Sequence, residues 1–371
     1  MKAVAVFPAT REIRLIDHDA PEISAPSQAK IRILGVGICG TDREIASFHY
    51  GTPPAGSEYL VLGHEAVGEV VETGSEVSAL RPGDLVVPMV RRPCTAEECT
   101  ACESGWQDFC YTGRFTERGI KESHGFLTEF AVEDQQYLVS FPSELRSVAV
   151  LIEPLTIAEK ALRQVREMQD RMPWLANGGK RRRVRHALVL GAGPVGLLGA
   201  MALVLAGFET SVYSREPAGG LKAGITEAIG ARYLSAADHD VSSLPDTLGS
   251  IDLVYEACGA SGLAFQVLPL MDANAVFIFT GVPGRKASIE IEADRIMRNL
   301  VLKNQVVFGT VNAGAPAFDA ATRDLAAFCE RWPDAVEALI TGRHLIEDYA
   351  QLLAGSVPGI KHVIALDGSL S

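Results

Sequence analysis

The stretch 187-ALVLGAGPVGLLGAMALVLAG-207 decides the fold of the second half of this chain. An apolar strand, a glycine-rich turn and an apolar helix follow one another in it, and Gly191, Gly193 and Gly196 stand in the spacing G-x-G-x-x-G. In that setting the first glycine permits the tight turn and the second lets backbone approach a pyrophosphate. The third lets helix pack on strand, and the phosphates rest at the helix N-terminus. The run is long and apolar enough to imitate a membrane span. Its glycine pattern and the further strand 209-ETSVYS-214 point instead to a β-α-β unit that binds a dinucleotide. The candidate cofactor contacts are Gly191, Gly193, Pro194, Val195 and Gly196.

Domains of this type hold a ribose 2′-hydroxyl with an acidic residue about 20 positions further on, or accommodate a 2′-phosphate with an arginine. Nineteen positions beyond Gly196 stands Arg215, preceded by Ser214. The spacing predicts NADP over NAD. Glu216 adjoins and could serve a ribose, so use of NAD stays open. Downstream, "IDLVYEAC" and "AVFIFTGV" alternate with helical segments, the pattern of an α/β parallel sheet.

Upstream the pattern changes. "AKIRILGVGI", "AVGEVVETGSEV" and "LRPGDLVVPMV" alternate between apolar and polar residues and are bounded by turn formers, so residues 1 to about 150 read as mainly β. A helix follows at "AVLIEPLTIAEKALRQVREM". Then comes "DRMPWLANGGKRRRVRH", whose proline, glycine pair and five basic residues between Lys180 and Arg185 read as a surface loop. A helix at "DAATRDLAAFCERW" and a strand at "KHVIAL" end the chain. A chain of 371 residues exceeds what one core supports and predicts two domains.

The net charge of −12 disfavours nucleic acid as a partner, because phosphates are neutralised by Lys and Arg. The amino terminus acquires charges too early for a signal peptide, which places the chain in the cytoplasm. Seven cysteines are present, and Cys94, Cys99, Cys102 and Cys110 crowd together with gaps of four, two and seven residues. Four thiolates so spaced can wrap one tetrahedral Zn²⁺ in a closed, structural site. Cys258 and Cys329 read as core thiols. Cys39 stands apart in 37-GICGTDREI-45, where the glycines suggest a bend open to ligands. His64 and Glu65 in "LGHEAVGEVVETGSEV" and Glu153 in "LIEPLTIAEKAL" complete a set of Cys, His and carboxylate, the donors of catalytic zinc with one position open.

With these pieces assembled, the chain resembles the zinc-dependent medium-chain dehydrogenase/reductase superfamily along nearly its full length. The motifs that carry the resemblance are "GICGTD", "GHEAVGEVVETGSEVSALRPGDLVV", the four-cysteine lobe and "VLGAGPVGLLGAMAL". Within it the chain is similar to the glucose (aldose) 1-dehydrogenase branch, through "DFCYTGRFTERGIKESHGFLTEF", "LIEPLTIAEKAL" and "KNQVVFGTVNAG". The resemblance implies an α/β protein with a GroES-like, β-rich catalytic domain at 1–153 and 310–371. A Rossmann domain with a doubly wound parallel sheet would fill 154–309. It implies two zinc ions per subunit, a sugar substrate, and a homotetramer or homodimer. Cys39, His64 and Glu153 would ligate or approach the catalytic zinc, with Glu65 an additional or exchanging ligand and Thr41 relaying the substrate proton. Glu117 and Asn312 would contact the sugar, Asn312 also neighbouring the nicotinamide. Where many alcohol dehydrogenases carry a relay histidine this chain has Glu44, which leaves His49 as a weak alternative. The implied reaction is oxidation of an aldose at C1 to the aldonolactone, with a polyol or secondary alcohol as the rival substrate.

Overall fold

The computed structural model describes residues 1–176, 185–284, 287–355 and 357–367. The basic run at 180–184 lies outside them. The chain divides into two compact units: Met1–Thr156 with Asn312–Glu330 and Val336–Ser371, and Ile157–Val311 with Arg331–Ala335.

The first unit is built on a seven-stranded sheet whose centre is the 11-residue strand Gln28–Ile38. Alternation along that strand buries Ala29, Ile31 and Ile33, and from Leu34 onward both faces are covered. Glu65–Thr73 pairs with it antiparallel on one side and Lys361–Ala365 on the other, so a strand from near the chain's end lies inside the sheet. In register, Gly37 faces Glu65 and Ile38 faces His362. The core beneath gathers Ile31, Val36, Ile45, Leu62, Phe126 and Ile364. The expected β character holds, with one addition. The segment after Cys39 forms a helix, Gly40–Ala46, where the glycines suggested only a bend. Gly37 does provide a close approach, since a Cβ there would lie 2.3 Å from Glu65 Oε2, whereas a Cβ on Gly40 would meet nothing within 4 Å.

The second unit is a parallel sheet of six strands. Its spatial order is Arg232–Ser235, Glu209–Ser214, His186–Leu190, Leu253–Glu256, Val276–Phe279, Val306–Gly309. Numbered along the chain this is 3-2-1-4-5-6, the doubly wound order whose ligand crevice lies at the carboxyl end of the first strand. The expected Rossmann sheet is therefore present. Helix Pro194–Leu205 starts with proline at its first turn after Gly193, as a helix start favours. Gly191 has φ 105°, and a Cβ on Gly196 would stand 2.0 Å from the Gly191 carbonyl oxygen. These two glycines are demanded by the backbone. Gly193 is not, because a Cβ there meets no protein atom within 4 Å. The expected loop at 170–186 carries a one-turn helix, Pro173–Ala176, and His186 begins a strand. Among the described residues no helix is long and apolar enough to cross a membrane.

Gly196→Ala should therefore destabilise the second unit by about 3 kcal/mol, read as a lowered thermal midpoint, because the methyl meets immovable backbone. Gly193→Ala should leave that midpoint within about 2 °C. It should still weaken dinucleotide binding roughly tenfold by titration calorimetry, if that open space is where the pyrophosphate approaches as the fingerprint implies.

Candidate metal centres and cofactor site

The register of the three central strands assembles the first donor group. Cys39 follows the end of Gln28–Ile38, and His64 immediately precedes Glu65–Thr73. Pairing of these strands brings the Cys39 thiol, an imidazole nitrogen of His64 and a Glu65 carboxylate oxygen within 4.8 Å of one another. His64 and Glu65 are buried and Cys39 is half-buried. Thiol, imidazole and carboxylate so close together can all touch one ion, and this donor chemistry suits zinc.

Two residues that the sequence reading missed hold these donors. Asp42, fully buried in the first turn of the helix, accepts the Cys39 N–H at 2.8 Å and the Gly63 N–H at 3.3 Å. Its Oδ1 lies 3.3 Å from His64 Nδ1, an electrostatic contact off the line of a good hydrogen bond. Burial pushes the Asp42 carboxyl up, but His64, the Cys39 N–H and Lys361 together bring it below its ordinary value. A carboxylate behind a ligating imidazole fixes the ring and raises its basicity. Lys361 is buried and its ammonium pairs with Glu65 Oε2, while the Ile38 carbonyl stands 3.4 Å away. Asp42 had a local signal, a carboxylate three residues beyond a helix start. Lys361 had none, since 296 residues separate it from Glu65.

Glu153 lies buried in the first turn of helix Ile152–Gln169. Burial, joined by Glu65 and Asp42 and opposed by His64 and Lys361, pushes its carboxyl up to about 7. Its carboxylate is not among the atoms grouped within 4.8 Å. Thr41 stands in the first turn of the helix after Cys39, against the phenol of Tyr50, which Glu44 also approaches. Burial foremost pushes that phenol up to about 12. His49 is exposed.

The four cysteines of the lobe form the second group, again with Sγ atoms within 4.8 Å. All are free thiols, with Cys99 and Cys110 3.8 Å apart and Cys110 and Cys94 3.7 Å apart. A tetrahedron of thiolates at the usual zinc–sulfur bond length has edges of about 3.8 Å, whereas a disulfide closes to about 2 Å. The Thr112 hydroxyl donates to Cys94 Sγ at 3.3 Å. Burial, foremost, pushes the Cys102 thiol up to about 12, a cost that a divalent cation at the centre would reverse.

Glu117 and Asn312 are 195 residues apart in sequence and meet in the first unit, where Asn312 Nδ2 donates to Glu117 Oε1 at 3.0 Å. The same oxygen accepts Arg91 Nε at 3.0 Å and Nη2 at 2.9 Å. Oε1 is thereby saturated, and among the described residues Oε2 accepts no hydrogen bond. Arg91, which sequence reasoning missed, is buried and also lies over the Phe115 ring, 3.7 Å from its centroid.

In the second unit Ser214 ends the second strand and Arg215 follows it, exposed. Among the described residues Arg215 makes no hydrogen bond or ion pair, whereas the Glu216 carboxylate is paired with Lys222. Cys258 is exposed rather than a core thiol, because Leu253–Glu256 ends before it and its Cβ occupies the space beside Gly191. Cys329 is half-buried.

Arg91→Met should cost about 3 kcal/mol in urea unfolding, because Glu117 would keep a part-buried charge with no cation. Glu117→Gln leaves an acceptor for Asn312 and should cost about 1 kcal/mol.

Residues 146–366 match the family profile described as "Glucose dehydrogenase C-terminus", and residues 25–143 match "Alcohol dehydrogenase GroES-like domain". A glucose 1-dehydrogenase of Methanocella arvoryzae is 37% identical over 367 residues, covering 99% of both chains. The structure of Haloferax mediterranei glucose dehydrogenase in complex with NADP, Zn and gluconolactone superposes with a TM-score of 0.87 at 32% identity, covering 99% of both chains. A 2R,3R-butanediol dehydrogenase of Bacillus subtilis, at 21% identity and TM-score 0.76 over 99% of both chains, shares the fold.

Proposed function

The chain belongs to the glucose 1-dehydrogenase branch of the zinc-dependent medium-chain dehydrogenase/reductase superfamily, and on that premise we propose that it oxidises an aldose, glucose or a close relative, at C1 to the aldonolactone. NADP becomes NADPH and one proton is released. The single observation that carries this reading is the pairing of Glu117 and Asn312 in the same unit as the Cys39, His64 and Glu65 donors. Polar groups held ready in this way suit a polyhydroxylated substrate and penalise an alkyl alcohol, which would leave them unpaired.

When bound, zinc would supply the Lewis acidity that lowers the pKa of the C1 hydroxyl, and the nicotinamide would supply the hydride acceptor. Cys39 and His64 would hold the metal, with Glu65, whose carboxylate is grouped with theirs, exchanging with Glu153, whose carboxylate is not. Asp42 keeps the His64 ring oriented. Lys361, paired with Glu65, balances that carboxylate's charge. Thr41 takes the C1 hydroxyl proton and passes it toward Tyr50, which lies against it and which Glu44 approaches. Glu117 uses its free Oε2 to accept a sugar hydroxyl, and Asn312 stands beside it. The backbone at Gly191, Gly193, Pro194, Val195 and Gly196 receives the pyrophosphate, and Ser214 and Arg215 receive the 2′-phosphate. A second zinc in the four-cysteine lobe is structural.

The catalytic role falls to 1–153 and 310–371 and the cofactor role to 154–309. We further propose a homo-oligomer, dimer or tetramer, formed through the second unit. There helix Ala293–Leu302 exposes Met297, Val301 and Leu302, and the strand that follows it, Val306–Gly309, ends the sheet among the described residues. Seven cysteines free of disulfides suit a reducing compartment, the cytoplasm.

NADP reduction should follow addition of D-glucose or a related aldose, with little or none on sorbitol or simple alcohols, and should vanish on dialysis against a chelator. Activity confined to polyols would retain the metal chemistry and discard the sugar. Metal analysis should find two zinc per subunit, one lost in Cys39→Ser and the other in Cys99→Ser, the latter with a lowered thermal midpoint. One zinc in the wild type would refute the two-metal reading.

A further inference from the structure

The end of the second Rossmann strand carries a contradiction. Arg215 suits a 2′-phosphate, and Glu216 beside it suits a bare ribose. An unopposed carboxylate at that position would repel a group that carries nearly two negative charges. The structure supplies a third residue. Lys222, in the first turn of helix Leu221–Ala228, places its ammonium on Glu216 Oε1. Its side chain is 19% exposed against 45% for Glu216, so the lysine is the more enclosed partner.

Both sides of the pair are held. The Glu216 carbonyl accepts the Tyr233 hydroxyl at 3.1 Å, and its N–H stands 3.5 Å from Ser214 Oγ. The Lys222 carbonyl accepts the Thr226 hydroxyl at 2.8 Å within its own helix. Glu216 thus has its charge cancelled through Oε1, while Arg215 remains exposed and unpaired among the described residues.

We infer that Lys222 is a specificity-determining residue for the dinucleotide: by neutralising Glu216 it removes the repulsion that a 2′-phosphate would meet there and leaves Arg215 as the net charge for that phosphate. The inference rests on the NADP reading above. Lys222 acts through Glu216 and is a positioning residue.

The test is binding, independent of turnover: fluorescence titration of the full-length protein with NADPH and NADH at low ionic strength, where such charges are least screened. Lys222→Met keeps the aliphatic stem and should weaken NADPH about tenfold while leaving NADH within about twofold. Lys222→Met combined with Glu216→Gln should return NADPH to within about twofold of wild type, because no carboxylate is left to neutralise. An unchanged NADPH-to-NADH ratio in the single variant overturns the inference. So does a double variant as weak as the single one, which would make Lys222 a direct phosphate ligand or a support for the helix. Arg215→Ala separates the two levels. If it leaves NADPH affinity untouched, or if the wild type binds NADPH no tighter than NADH, the cofactor reading itself fails.

Discussion

Glu65 is a carboxylate with almost no exposed surface, and its charge must be answered where it stands. An ionised carboxylate withdrawn from water costs several kcal/mol unless a well-placed cation compensates it. Lys361 meets that requirement inside the protein, and it can do so because the strand Lys361–Ala365 lies beside Gln28–Ile38, whose other neighbour begins at Glu65. The placement of a late strand in the middle of the first sheet is therefore an electrostatic condition of the metal centre as well as a feature of topology. Gly37 belongs to the same arrangement, since any side chain there would occupy the position of the Glu65 carboxylate.

The same logic recurs at two other places. Glu117 is held by Arg91, which takes one oxygen and leaves the other without a hydrogen bond among the described residues. Glu216 is held by Lys222 beside the cofactor fingerprint. Each anion lies in or next to a recognisable motif, and each answering cation comes from another element. The pairs differ in burial and therefore in what they do. Lys361 and Glu65 are enclosed, so removing either would leave a stranded charge. Lys222 and Glu216 lie nearer water, where a pair adds little stability but still sets the local potential that an arriving phosphate meets.

This division explains what could be read from the chain. G-x-G-x-x-G was legible because its requirements are local: Gly191 needs a positive φ and Gly196 needs an absent Cβ, both within one turn of backbone. The four cysteines were legible because a short lobe must close on itself. Cys39, His64 and Glu65 were legible as residue types, and the resemblance supplied their roles. Lys361 and Arg91 carried no signal, since lysine and arginine are ordinarily surface residues and nothing in their neighbourhood announces burial. The helix after Cys39 was missed because two glycines outweighed the capping aspartate. In fact Asp42 nucleates that turn by taking the Cys39 N–H, and its other oxygen stands behind His64.

For a chain of net charge −12, this has a consequence for how specificity is built. On the function proposed above, carboxylates stand at the metal, the sugar and the ribose, so chemistry at each site depends on how each carboxylate is answered by its cation. At Glu117 the arginine saturates one oxygen and leaves the other, giving an acceptor of defined direction. At Glu216 the lysine balances the charge, and the exposed neighbouring arginine is left as the net positive group. A reading confined to motif positions would find acidic residues at both places and assign both the same task. The cations, placed by sheet order and helix packing, make the tasks differ, and for that reason the fold carries functional information that the motifs alone do not.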